Sequence, residues 1–234
     1  MVEVANQRVK ILSVAMPALI VPFLGAWLYF SALGDHPMAK VVYGLTKVFT
    51  FFWPIIALRV ILRESISIPI FKGWKASAPW VHGLGSGLGL ALVGFALMQT
   101  PIGSMVRDSA GNIRQKTSDL GILDNFWLFA SLISIFHSLL EEYFWRWFAF
   151  GQLRRLMRPW AAHILAGLAF SAHHIVVTLQ YFPLAWGLFL GLSVGLGGIL
   201  WSFQYEQQQS LLGPWLSHIL VDFTLMAIGA HVIF

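Results

Sequence analysis

The chain has 234 residues, of which 58% are hydrophobic and 11% charged. A soluble globular domain carries roughly 25% charged residues, so the expected solvent is a lipid bilayer. Fifteen Lys and Arg against ten Asp and Glu give a formal charge of +5. Most basic residues flank apolar runs, and membrane topology explains that excess better than nucleic acid does. The absence of cysteine excludes a disulfide framework, a thiolate metal site and a cysteine nucleophile. At roughly 20 apolar residues per crossing, seven or so spans use up the chain and leave no room for a separate soluble domain.

Taken in chain order, apolar runs predict spanning helices over residues 11–33, 41–61, 80–98, 126–150, 160–179, 184–203 and 211–234. The first follows Arg8 and Lys10, is too long for a signal-peptide core and shows no small-residue cleavage site, so it is expected to be retained. Residues 63–78, with Lys72 and Lys75, are too polar to span and suit an amphipathic segment at the interface. Residues 99–125 are rich in Gly, Asp, Ser and Arg and read as a polar external loop, in which an eighth, partial helix stays open. Glycines at 83, 85, 87 and 89, and at 187, 191 and 195, have spacings that bring membrane helices into close contact.

Alternate loops divide the basic residues unevenly. Arg8, Lys10, Arg63, Lys72, Lys75, Arg154, Arg155 and Arg158 share one side, against Lys40, Arg107, Arg114 and Lys116 on the other. Lys and Arg accumulate in cytoplasmic loops, which puts the N-terminus in the cytoplasm and, with seven spans, the C-terminus outside. The fold class expected is therefore all-α, a polytopic transmembrane bundle forming a single domain over residues 1–234.

A charge at the centre of a span costs about 2.5 to 3.5 kcal/mol, so its presence needs a reason. Three groups stand out. The first is His137, Glu141, Glu142 and Arg146 in HSLLEEYFWR. Glu142 and Arg146 are one turn apart and can pair, which leaves Glu141 for chemistry with only His137 near it in its own helix. The second is Phe170, His173 and His174 in AFSAHH, and the third is His218 with Asp222 in SHILVD. At about 1.5 Å of rise per residue, Glu141, His174 and Asp222 lie about 20, 21 and 16 Å from the same membrane side. The three groups can thus meet at one level. Structural pairing, a proton relay in a transporter and catalysis all remain open on residue type alone, and Lys47 and Arg59 are expected to snorkel to the interfaces.

Together, in this order on separate late helices, the motifs resemble the CPBP intramembrane protease family, which includes CAAX-processing endopeptidases and bacteriocin-processing or immunity proteins. The family pattern Glu-Glu-x-x-x-Arg, Phe-x-x-x-His, His-x-x-x-Asn/Asp is met by Glu141, Glu142 and Arg146, then Phe170 and His174, then His218 and Asp222. The resemblance covers residues 125–227 as a catalytic core. It implies a peptidase in which Glu141 activates water, His174 holds or shares it, and Glu142, Arg146 and Phe170 support the site. It gives the third motif the task of stabilising the oxyanion. An ionised Asp cannot donate a hydrogen bond, so donation falls to His218, with Asp222 orienting it, or to a protonated Asp222.

By residue type Glu141, His174, His218 and Asp222 would also suit zinc, but the resemblance favours a glutamate mechanism with no metal or other cofactor. The implied partners are a membrane-associated or lipid-modified protein or peptide substrate and the bilayer, with no nucleic acid. The implied setting is a bacterial inner membrane. The rival reading is a catalytically silent scaffold or immunity protein of the same fold. A transporter ranks last because no internal repeat is visible.

Overall fold

A computed structural model describes residues 2–34 and 36–234. Seven helices are long and apolar enough to cross a membrane: α1 (Ala5–Ala32), α2 (Met38–Leu62), α3 (Ser77–Leu97), α6 (Leu123–Leu156), α7 (Pro159–Thr178), α8 (Leu184–Gln208) and α9 (Leu212–Ile233). Between α3 and α6 lie two short helices, α4 (Pro101–Asp108) and α5 (Ala110–Asp119). The protein is therefore an all-α integral membrane bundle with seven spans, and the described residues contain no strand. Its outer surface is apolar, with Leu45, Leu88, Leu92 and Leu196 exposed, as lipid rather than water requires.

Two segments differ from expectation. The region read as a polar loop is largely helical, because Thr100 caps α4 through its hydroxyl, with Pro101 at the first helical position. Both α4 and α5 are too short to span. The 63–78 segment forms no interfacial helix. The chain leaves α2 through left-handed Arg63 (φ 58°), runs extended with Ile66 and Ile70 packed on the core, and joins α3 at Ser77.

Close approach organises the bundle into pairs. A Cβ on Gly191 would lie 2.6 Å from the Cα of Ile175, and one on Gly195 would lie 3.0 Å from the Gly167 carbonyl, so α7 and α8 touch through backbone. Ser171 then donates to the Gly191 carbonyl at 2.9 Å. Likewise, α3 meets α9 where a Cβ on Gly83 would lie 2.6 Å from the Gly213 carbonyl. Gly85 and Gly89 meet nothing within 4 Å. They sit on the other face of α3 and are not packing residues.

Between these pairs runs α6, whose Phe144, Trp145, Phe148 and Phe150 fill the core with Phe170, Trp201 and Tyr205. α6 is not a uniform helix. Wide π-helical turns at Ile133–His137 and Glu142–Phe150 flank Ser138–Glu141, a distortion that recurs at functional sites. Trp215 of α9 donates to the Ile135 carbonyl inside the first of these turns at 2.9 Å.

The two ends of the bundle carry different contacts. At one end Arg8 reaches the Leu156 carbonyl at 3.2 Å, Arg155 forks onto Glu64 at 2.7 and 3.0 Å, and Arg154 pairs with Glu206. At the other, Asn112 of α5 donates to the carbonyls of Gln180 and Tyr181, each at 3.0 Å, and Arg114 donates to that of Ile233.

The helix contacts predict opposite outcomes at two glycines. Gly195→Leu forces α7 and α8 apart and should cost about 1–3 kcal/mol, read as a lowered Tm in detergent. Gly85→Ala should leave Tm unchanged or raise it slightly, since an exposed helical glycine costs about 0.5–1 kcal/mol relative to alanine.

Candidate active site

The polar residues of α6, α7 and α9 converge inside the bundle. Glu142 and Arg146 lie one turn apart on α6, with Oε2 and Nε 3.1 Å apart and side chains only 0% and 2% exposed. The contact is an ion pair whose facing atoms are not aligned as a hydrogen bond. The guanidinium carbon sits 4.4 Å from the centre of the Phe170 ring and 5.1 Å from that of Trp201. The guanidinium is thus held by cation–π contact with both rings.

The second oxygen of Glu142 reaches a third helix. Its Oε1 lies 2.8 Å from Nδ1 of His218. Nδ1–H must donate to the carboxylate, which turns Nε2 towards Glu141 Oε2 at 3.7 Å and Asp222 Oδ1 at 3.6 Å. Trp201 stacks on the His218 ring at 4.0 Å and 18°, and its own indole N–H is fixed by Ser217 at 3.0 Å. The orienting partner of His218 is therefore Glu142, across helices. Asp222, to which spacing had assigned that task, lies beyond hydrogen-bond distance on the other nitrogen.

Glu141 points away from the Arg146 pair into a ring of imidazoles. His137 Nε2 and His173 Nε2 each stand 3.4 Å from Oε1. His174 donates Nδ1–H to the Phe170 carbonyl at 2.9 Å, so its Nε2 keeps a free lone pair. The Glu141 side chain is 10% exposed, that of Asp222 17% and that of His137 26%. His173 lies parallel to Trp145, with ring centroids 5.5 Å apart at 1°.

All seven residues of the family pattern, namely Glu141, Glu142, Arg146, Phe170, His174, His218 and Asp222, thus meet in one cluster. Two more belong to it. His173, weak as a single intramembrane histidine, touches Glu141. His137, one turn before Glu141 on the same helix, does so too. Lys47 does not snorkel to an interface, because its Nζ lies 3.4 Å from His137 Nδ1. His163 makes a separate cluster with Ser202 (2.7 Å) and Glu206 (2.8 Å).

The donor set that would suit a metal also differs from the one read in the sequence. Ligand atoms of Glu141, His173 and His174 lie within 4.8 Å of one another, a group that does not include His218 or Asp222. This trio fits a three-ligand site in residue type and span.

Residues 123–224 match the family model described as Type II CAAX prenyl endopeptidase Rce1-like, and no curated protein and no solved structure matches the chain. The matched stretch contains α6 through most of α9 and every residue of the cluster except Lys47.

Removing one partner of a buried ion pair strands the other. Arg146→Met should therefore cost about 3–5 kcal/mol, measured by thermal or denaturant unfolding in micelles, whereas Glu141→Gln, which removes a buried charge outside that pair, should leave the unfolding midpoint near that of the unaltered protein.

Proposed function

We infer from the match of residues 123–224 to that family model that the chain is a peptidase of the CAAX protease type acting on membrane-associated peptide substrates. We propose that the protein is an intramembrane endopeptidase in which Glu141 takes a proton from water as that water attacks a peptide carbonyl. The observation that carries this reading is the placement of the Glu141 carboxylate among His137, His173, His174 and His218, clear of the Glu142–Arg146 pair.

A water beside Glu141 would be gripped from two sides. The carboxylate accepts one of its protons, and the lone pair on His174 Nε2 accepts the other. Attack converts the carbonyl oxygen to an oxyanion, which needs a donor aimed at it. His218 has already given Nδ1–H to Glu142, so it donates from Nε2 only as the imidazolium. The anionic Glu142 against Nδ1 stabilises that state. Asp222 beside Nε2 does the same when ionised, and when protonated it is a donor in its own right. Collapse of the tetrahedral species then needs a proton on the leaving amine, and Glu141 holds the one taken from water.

Zinc held by Glu141, His173 and His174 would supply Lewis-acid chemistry in the same place. It would also occupy the carboxylate that serves as base, and for that reason the metal-free reading is preferred. The substrate proposed is a membrane-associated or lipid-modified protein or peptide. The shared end of the bundle holding Arg8, Arg154 and Arg155 supports a cytoplasmic N-terminus, and the membrane proposed is a bacterial inner membrane.

Purified protein in liposomes, given a substrate whose cleavage has been verified, tests the mechanism. Glu141→Gln should lower turnover by about 10²–10⁴-fold, and dialysis against a chelator should leave the unaltered protein active. Full turnover in Glu141→Gln, or a chelator loss restored by zinc, overturns it. A phenotype in cells that survives both Glu141→Ala and His174→Ala would instead favour a binding or immunity role.

Orientation has its own check, made simple by the lack of native cysteine. Lys72→Cys should react with an impermeant thiol reagent only from the cytoplasmic side, and Lys116→Cys only from the opposite side.

A further inference from the structure

Lys47 stands outside the matched stretch and outside every motif, yet it faces the cluster. It lies nine residues after Met38 on α2, about 13 Å along the helix from the nearer end. That is further than its side chain can span to reach water. Burying a lysine there costs about 2.5–3.5 kcal/mol, so a structural or functional return is expected. Its ammonium does not meet a carboxylate but a ring nitrogen, His137 Nδ1 at 3.4 Å, with the Tyr43 ring 5.3 Å away as a second, weaker contact.

The chemistry of the two groups fixes the direction of the bond. An ammonium has three donors and no acceptor, so Nδ1 must accept and the imidazole proton must reside on Nε2. That nitrogen is the one 3.4 Å from Glu141 Oε1. In the opposite tautomer Nε2 would turn a lone pair towards the carboxylate, and the two would repel. Lys47 thereby selects the form of His137 that attracts and orients Glu141, while keeping its own charge one residue removed from the base.

We propose that Lys47 is a positioning residue, which sets the His137 tautomer and through it holds Oε1 of Glu141 so that the carboxylate is aimed at water. The inference rests on Glu141 acting as the base, but the contact itself can be tested without activity. It also extends the working site from α6, α7 and α9 to α2.

The experiment uses the full chain in nanodiscs with ¹⁵N-labelled histidine, His137 being assigned by its loss in His137→Phe. In the unaltered protein the His137 signals should be those of a ring protonated at Nε2 and bare at Nδ1. Lys47→Met removes one of the two groups that favour the Nε2–H form and should give a detectable fraction protonated at Nδ1, and Lys47→Arg, which keeps a cationic donor, should restore the first pattern. In parallel, on a verified substrate, Lys47→Met should lower kcat by about 10- to 100-fold, the scale of a misplaced catalytic group, with KM unchanged. In a His137→Phe background it should cause no further loss.

A proton on Nδ1 in the unaltered protein, or an unchanged tautomer in Lys47→Met, overturns the proposal even if that variant is inactive. So does a kcat loss from Lys47→Met that multiplies fully with that of His137→Phe. Equal turnover in the unaltered protein and Glu141→Gln would sink the peptidase reading instead, and the tautomer measurement would still decide the contact.

Discussion

The buried carboxylate of Glu142 is the constraint on which the rest of the site depends. One of its oxygens faces Arg146 and the other receives His218, so a single group joins α6 to α9 and fixes the direction of an imidazole. Charges buried in this way are tolerated only when each has a partner, since attraction in a low-dielectric interior has to offset the loss of hydration. Arg146 and His218 are those partners for Glu142. Phe170 and Trp201 cover the guanidinium, and Trp201 stacks against His218. A division of labour between adjacent carboxylates follows. Glu142 is consumed by structure, and Glu141 is left with imidazole neighbours only.

That division needs unusual backbone. In a regular helix adjacent side chains diverge by roughly 100°, and one of two neighbouring glutamates would be expected to turn away. Here every residue from Glu141 to Arg146 is buried, within a helix widened on both sides of Ser138–Glu141. The glycine contacts of α7 with α8 and of α3 with α9 serve the same end. They fix α7 against α8 and α9 against α3, and so hold in place the two helices whose histidines face α6.

The seven spans were legible because a bilayer demands long apolar runs, and their order and number follow from hydropathy alone. The convergence of Glu141, His174 and His218 was legible from depth, since rise per residue converts sequence distance into height. Partner choice was not. Spacing offered Asp222, one turn from His218, whereas the nearer contact comes from Glu142 on a different helix, and no periodicity encodes which helices touch. Lys47 was missed for the same reason. A lone cation in a span looks like a snorkelling side chain until the helix opposite it is known. The short helices α4 and α5 were hidden by their polar composition, which at that length resembles a loop. Gly85 and Gly89 look the same in sequence as Gly83 and Gly87, and only the azimuth of α3 separates them.

The central claim is that Glu141 acts on water rather than on the peptide carbonyl itself. Isotope placement during one turnover in H₂¹⁸O, with enzyme in excess over a verified substrate, separates the two directly. Water activated by Glu141 puts ¹⁸O into the new product carboxylate and leaves the peptide containing Glu141 at its natural mass. Covalent attack by Glu141 would form an anhydride, and water attacking its glutamyl carbonyl would leave ¹⁸O in the glutamate. Labelled product with an unlabelled Glu141 peptide is the result expected; ¹⁸O found in Glu141 after a single turnover would contradict the account.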